Sequence, residues 1–291
     1  MTTGVAVVLA SAGRPELLAE VLASCSSQRD IGFVGVVSVP DEASLPADRS
    51  LLSGWTVVTG TRGAAAQRNA ALDALPDIAV VAFFDDDAVL RPDYLANAMR
   101  FLDAHPQVLG MTGRVLLDGA TTGEITRDAA ADALAHSAVA PVLGHWRRTR
   151  ELYGCNFVVR VAAAPHLRFD ARLPLYSWLE DHDFARRLMR LGQLAEVDDC
   201  VIVHRAASSG GRQAHRRLGY SQVMNPIHLV RTGSFPTWLA AQQIFRPVAK
   251  NVVLSVAGPS TAWRRMRLRG NMQAVGDAIR GRITPERIID L

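Results

Sequence analysis

An apolar run that stops on acid constrains this chain more than any other feature. Residues 78–84 read IAVVAFF, and Asp85, Asp86 and Asp87 follow at once. Apolar residues without alternation describe a strand covered on both faces, as in a parallel sheet with helices above and below. In an open sheet of that kind, ligands bind beyond the carboxyl ends of the strands. Alternation along an extended chain sends Asp85 and Asp87 one way and Asp86 the other. Three adjacent carboxylates repel, and a divalent cation among them relieves the repulsion. Carboxylates at i and i+2 can hold one hard cation and leave positions for phosphate oxygens and water. The competing reading is a solvated turn or helix N-cap, because Pro92 opens a helix soon after.

The rest of the first half has the same layered character. Val5–Ala10 is a second buried strand, and Pro15 suits the first turn of a helix carrying Leu18, Val21, Leu22 and Cys25 at helical spacing. Phe33–Val39 and Trp55–Thr59 read as strands, Gly63–Leu75 and Pro92–Ala104 as helices. Such alternation means βαβ units: an α/β fold, a mostly parallel central sheet flanked by helices. Residues 119–145, rich in Ala, Thr and Gly, predict a loop and an ill-defined helix. Leu152–Val161 is a strand, Leu179–Leu191 a helix and Ala195–His204 a strand. From Ala214 the pattern is helical and basic, and Pro226, Pro236, Pro247 and Pro259 are expected to cut it into short helices. Two regions result, 1–210 and a helical extension, 211–291.

Composition excludes some classes. With 49% apolar and 21% charged residues in 291, the chain is neither disordered nor a coiled coil. Cys25, Cys155 and Cys200 are odd in number and far apart, which argues against a disulfide framework or zinc knuckle and fits a reducing cytosol. The N-terminus reads as a buried strand rather than a signal peptide. The net charge of +4 is uneven: residues 201–291 hold fourteen basic residues and three acids, or +11, leaving −7 for the first 200. All the basic residues but Lys250 are Arg, which suits bidentate phosphate contacts; a GC-rich coding preference explains the bias equally well. Trp238–Ala257 is interrupted by Gln242, Gln243, Arg246, Pro247, Lys250 and Asn251, so it is not a membrane span. Two readings remain for this tail. In one, Trp238 and Trp263 beside Arg246, Arg264, Arg265, Arg267 and Arg269 lie on an anionic membrane face. In the other, a basic helical tail packs on the sheet.

A second acidic cluster, Glu180-Asp181-His182-Asp183, opens the Leu179–Leu191 helix. Acids there suit the helix dipole, or one of them is a general base beside the metal site. Neighbours one or two apart on a helix diverge, so one acid is expected in the cleft and another outside it.

In four segments the chain resembles the family 2 glycosyltransferases with a GT-A fold, over about residues 4–232. VAVVLASAGRP (5–15) is similar to that family's opening strand and nucleotide loop, and RGAAAQRNAAL (62–72) to its donor-site helix. FFDDDAVLRPDYL resembles the DxD metal motif and the helix after it. GCNFVVR (154–160) and LEDHDFARRLMRLG (179–192) resemble the strand and Glu-Asp helix that carry the base. The resemblance implies that Asp87 ligates Mn²⁺ or Mg²⁺ at the donor diphosphate and that Asp85 contacts ribose or sugar. Asp181 is then the catalytic base, and His204 a further metal ligand where some relatives place one; a lone strand-end His is also commonly structural. Ser11, Arg14, Asp41, Arg68, Asn69, Asp86, Asn156 and Glu180 belong to the nucleotide-sugar site. Two departures stand out. Only Asp41 replaces the acidic turn that holds the nucleobase, which leaves the base open. Gln213-Ala-His-Arg216-Arg217 has Arg where processive relatives have Trp, which favours transfer of a single sugar.

The implied reaction is inverting, metal-dependent transfer from a nucleotide-diphosphate sugar, a UDP-sugar first among them, to a glycan or lipid-linked acceptor in polysaccharide or glycoconjugate synthesis. The implied setting is cytoplasmic, peripheral on the inner face of the cell membrane. Arg212, His215 and Arg216 follow Ser208-Ser209-Gly210-Gly211, which reads as a loop closing over the diphosphate or as a plain linker. Four rivals are weaker. A haloacid-dehalogenase-like phosphohydrolase matches Asp85-x-Asp87-x-Val89 but wants a lysine before its late acidic pair, and Lys250 lies after it. A sugar-nucleotide pyrophosphorylase wants a Lys-containing loop after the first strand. A non-catalytic glycosyltransferase-like binding subunit sits poorly with the intact acidic motifs. Nucleic-acid binding by the basic tail lacks a reader motif.

Overall fold

The computed structural model describes residues 4–137, 144–206, 213–256 and 261–291. Its first half follows the apolar pattern. β1 (Val5–Ala10), α1 (Pro15–Ser26), β2 (Phe33–Val39), β3 (Trp55–Thr59), α2 (Ala64–Asp73) and β4 (Val80–Asp85) build a parallel block in the order β3-β2-β1-β4. β1 shows why its apolar run does not alternate. Val5, Val7 and Leu9 enter one core with Leu18 and Leu22 of α1, while Ala6 and Val8 enter the opposite core with Ala65 and Ala71 of α2.

The chain turns at Asp86-Asp87 into β5 (Ala88–Leu90), then runs through α3 (Tyr94–Ala104) and β6 (Val108–Asp118). β6 has eleven residues and was not expected from the sequence: Gly110, Gly113 and Arg114 break its apolar run. Two helices, α4 (Gly119–Thr122) and α5 (Arg127–Ser137), occupy the weakly patterned stretch, followed by β7 (Trp146–Thr149). β8 (Asn156–Val159) is shorter than the expected Leu152–Val161, and α6 (Glu180–Leu188) shorter than Leu179–Leu191. β9 (Gln193–His204) pairs parallel with β6 and antiparallel with β5 and β7. The sheet continues past β4 through antiparallel β8 to β6, β9 and β5. Cys25, Cys155 and Cys200 are buried free thiols.

Three long helices follow: α7 (His215–Arg231), α8 (Thr237–Val256) and α9 (Thr261–Ile279). They correct the expectation of short helices, because α7 runs through Pro226 and α8 through Pro247. A proline removes one ladder hydrogen bond; here packing in the helix bundle outweighs that loss. α7 and α9 cross so closely that a Cβ at Gly219 or Gly270 would strike a backbone carbonyl of the other helix. Asn251 donates to Gln222 and Asn271 at 2.9 Å each, tying α8 to both. The bundle packs on the sheet-bearing body through Leu173 and Leu179 against Leu229, Phe235 and Leu239, and through His228 on Asp170 at 2.7 Å. Pro259 and Ala257 lie outside the described residues.

Candidate active site

The pairing of Ala88 with His204 sets the end of β9 beside the turn that follows β4. Ligand atoms of Asp85, Asp87 and His204 lie within 4.8 Å of one another. His204 Nε2 stands 3.4 Å from Asp87 Oδ1, and His204 Nδ1 donates to Asp118 Oδ1 at 2.8 Å. Tyr153 donates its hydroxyl to Asp118 Oδ2 at 2.7 Å. Burial pushes the Asp118 carboxyl up, but hydrogen bonds from His204, Tyr153 and the Ala120 N–H outweigh it and hold the group at about 2. Burial disfavours charge on His204 as well, yet the bonds to Asp118 and Asp87 raise it to about 9. The site thus favours positive charge at Nε2. Two carboxylates and an imidazole, its other nitrogen fixed by a carboxylate, form a mixed oxygen-and-nitrogen set able to hold a divalent cation, the carboxylates suiting Mn²⁺ or Mg²⁺.

Asp86 turns the other way. It accepts from Ser11 Oγ at 2.6 Å and from Arg14 Nε at 3.0 Å, and Arg14 also pairs with Asp87 at 3.3 Å. The loop after β1 therefore braces the triplet, with Arg14 also lining the cavity beside it.

Arg68 joins the two acidic clusters. Buried in α2, it donates to Glu180 at 2.6 Å, to Asp85 at 2.9 Å and to the Gly154 carbonyl at 3.0 Å, with its guanidinium about 5.5 Å from the ring centroids of Phe157 and Phe169. Burial, with the charge of Asp181, pushes the Glu180 carboxyl upward against the pull of Arg68. Asp181 accepts backbone N–H groups from Gly154 at 3.0 Å and His182 at 2.8 Å. Asp183 is sealed against Arg187 at 2.6 Å. Both Glu180 and Asp181 reach the cavity wall, and Asp183 is the acid that turns away.

The loop before α6 is strained. Leu175, Ser177 and Leu179 all sit in the left-handed region, with φ of 59°, 52° and 75°, a costly arrangement that clusters at functional sites. The buried Ser177 hydroxyl donates to the Leu173 carbonyl at 2.6 Å and accepts from Ala65 N–H at 3.2 Å. Gly63, at φ 114°, lets the chain at Leu175 approach where a Cβ would collide with it. The result holds Tyr176 and Trp178 stacked, ring centroids 6.3 Å apart, on the wall of the cleft.

Two cavities meet there, sharing Ala10, Arg14, Ala64 and Tyr176. One, of about 310 Å³, is lined by Ser11, Arg62, Gln67, Arg217, Ser221 and Ile288. The other, of about 320 Å³, brings Arg68, Asp85, His204, Glu180, Asp181 and Gln243 to one space.

Several expected site residues are placed elsewhere. Asn156 is fully buried, its Oδ1 accepting from the Tyr94 hydroxyl at 2.8 Å and the Gly113 N–H at 2.6 Å; the register of β8 turns it into the core. Asn69 exchanges hydrogen bonds with the backbone of Phe169 at 2.9 and 2.8 Å, pinning a loop. Asp41 caps a short 3₁₀ turn by accepting from Ser44 N–H and Oγ, and lines neither cavity. His215 stacks on Trp263, and Arg216 donates to Gln273. Their place along the cleft is taken by Arg217, because one helical step turns the side chain through about 100°. Arg212 and residues 208–211 lie outside the described residues.

Sequence reasoning missed Asp118, Tyr153, Gln67, Trp178 and Gln243. Gln67 carried a signal, since it sits inside the 62–72 segment; it donates to the Ser11 and Ser38 carbonyls at 2.8 and 2.7 Å. Asp118 carried none, because it ends the strand that the pattern did not reveal.

No family model matches the sequence, and no curated protein sequence matches it. Solved structures do. A mannosyltransferase from Pyrobaculum calidifontis, in complex with GDP-Man and Mn²⁺, is 18% identical with a TM-score of 0.58, over 94% of this chain and 87% of that one. Residues 1–349 of S. aureus TarS are 14% identical with a TM-score of 0.57, over 98% and 85%. Glucosyl-3-phosphoglycerate synthase from Mycobacterium tuberculosis, in complex with Mg²⁺ and UDP, is 19% identical with a TM-score of 0.52, over 81% and 82%. The fold is the GT-A fold of glycosyltransferases.

Proposed function

We propose that this chain is an inverting, metal-dependent glycosyltransferase that moves a single sugar from a nucleotide-diphosphate sugar to an acceptor hydroxyl. The observation that carries this reading is one shared cavity: Asp85 and His204 of the ligand cluster open into the same space as Asp181. Asp85, Asp87 and His204 would hold Mn²⁺ or Mg²⁺, which when bound stabilises negative charge on a leaving diphosphate as a Lewis acid. Arg14, Arg62 and Arg217 offer guanidinium groups to the donor in the adjoining cavity. Arg68 keeps Asp85 and Glu180 at fixed distance. The Gly154 N–H orients the Asp181 carboxylate, which takes the acceptor proton as the acceptor oxygen bonds to the anomeric carbon. The bond from that carbon to the diphosphate breaks on the opposite face, which inverts configuration. Proton acceptance of this kind is worth roughly 10²–10⁴-fold.

A UDP-sugar is the donor proposed first and a GDP-sugar the alternative, matching the UDP and the GDP-Man held by two of the similar solved structures. The acceptor is a glycan or a lipid-linked hydroxyl, in polysaccharide or glycoconjugate synthesis, and the setting is the cytoplasm or the inner face of the cell membrane. Lys250 is exposed on α8 and enters neither cavity, which leaves the phosphohydrolase alternative without its lysine.

A screen of nucleotide sugars with Mn²⁺, following release of nucleoside diphosphate, tests the proposal. One donor is expected to turn over and EDTA to stop it. Turnover unaffected by EDTA, or hydrolysis of p-nitrophenyl phosphate in place of any donor, would overturn it.

A further inference from the structure

The basic extension contains a surface that donor chemistry does not explain. α8 is twenty residues long, about 30 Å at 1.5 Å per residue. Trp238, Phe245, Val252, Val253 and Val256 are exposed along it, Phe245 at 73% and Val256 at 80%. At 3.6 residues per turn they all lie within about 60° of one line down the helix. The opposite side, including Ala240, Asn251 and Ser255, is buried in the bundle. A monomer rarely leaves a continuous apolar stripe of this length open to water unless something covers it.

The charges say what covers it. α8 contains no acidic residue, and its exposed charges are Arg246 and Lys250 on one flank of the stripe. Arg265 of α9 reaches across to the Ser255 carbonyl at 3.0 Å, setting a third cation near Val256. The one acid of α9, Asp277, is buried, accepting from the Tyr220 hydroxyl at 3.0 Å and pairing with Arg287. An apolar stripe flanked by Arg246, Lys250 and Arg265 fits anionic lipid: the ring and aliphatic groups enter the headgroup boundary while the cations meet phosphates. A second copy of the chain fits poorly, because a two-fold contact through this stripe would set like charges against each other. Among the described residues no helix is long and apolar enough to cross a membrane, so the helix would lie along the surface.

We infer that the exposed face of α8 docks this protein on an anionic lipid bilayer. The docking face keeps Trp238, Arg246 and Arg265 of the residues the sequence singled out, adds Phe245, Lys250 and the valines, and leaves out three others. Trp263 stacks on His215 beneath the guanidiniums of Arg264 and Arg267, and Arg264 is buried and bonded to Asn251, so these three serve the bundle rather than the surface. The same helix sends Gln243 into the cavity that holds Asp181. Docking therefore fixes that cavity beside the bilayer, and the acceptor is a membrane-borne hydroxyl compound; this last clause rests on the glycosyl-transfer reading, whereas the docking surface does not.

The test is co-sedimentation of the full chain with vesicles of phosphatidylcholine alone and of phosphatidylcholine with phosphatidylglycerol, at low and raised salt. Binding is expected with phosphatidylglycerol and to weaken as salt rises. Trp238→Ser with Phe245→Ser, and separately Arg246→Glu with Lys250→Glu, should each cut partitioning by about tenfold or more. Circular dichroism and thermal melting check that the variants fold. No vesicle binding by the wild-type chain, or equal binding by folded variants, overturns the inference. A dimer in sedimentation velocity that Trp238→Ser with Phe245→Ser converts to monomer assigns the face to a second copy instead. Donor affinity of the Mn²⁺-supplemented chain is measured in parallel by calorimetry without vesicles. Vesicle binding without donor binding would leave the surface standing and sink the catalytic reading; donor binding without vesicle binding would do the reverse.

Discussion

At the end of β4 two carboxylates converge on one imidazole; at the start of α6 three carboxylates part company. Asp85 and Asp87 gather with His204 inside 4.8 Å. Glu180 goes to Arg68, Asp181 to the cavity and Asp183 to Arg187. The backbone decides the difference. A tight turn at a strand end brings residues i and i+2 to one side, whereas a helix turns each successive side chain by about 100°. Similar acidic strings thus make a chelating set in one place and three separate roles in the other.

That contrast can be broken by substitution. Asp181→Asn is expected to lower turnover by roughly 10²–10⁴-fold while calorimetry finds donor affinity intact; parallel loss of both would remove Asp181 from the proton-accepting role. On the converging side, Asp118→Asn frees the His204 ring, and loss of a carboxylate that orients a ligating imidazole costs roughly 10–100-fold in metal affinity. Manganese titration should show Asp87→Asn weaker still, and unchanged binding in both would mean that the cluster is structural. The smallest effect belongs to Asp183→Asn, which leaves a partly buried guanidinium without its carboxylate and should cost about 1–3 kcal/mol in thermal or urea unfolding. Turnover per folded molecule should stay as in the wild type; a fall there would mean that the helix acids act together rather than separately.

The apolar runs made the parallel half of the sheet legible, because strands buried on both faces need no alternation to be recognised. β6 was hidden by Gly110, Gly113 and Arg114, and with it the Asp118 that holds His204 across 86 positions of sequence. The acids of the site could be read from their clustering, but not their partners. Asn69 and Asn156 sit in suggestive segments, yet an amide that can bond backbone on both edges is as useful to a loop or a core as to a ligand. Prolines misled in the extension, since tertiary packing carried α7 and α8 past them.

Helix α7 supplies Arg217, Leu218 and Ser221, and the chain end supplies Ile288, to the space that adjoins the ligand cluster. The proposed donor pocket is therefore assembled from segments more than 200 positions apart. A nascent chain that has reached only β9 carries every aspartate of the proposed chemistry but lacks the α7 wall beside it, so retention of a nucleotide would wait on synthesis of the extension.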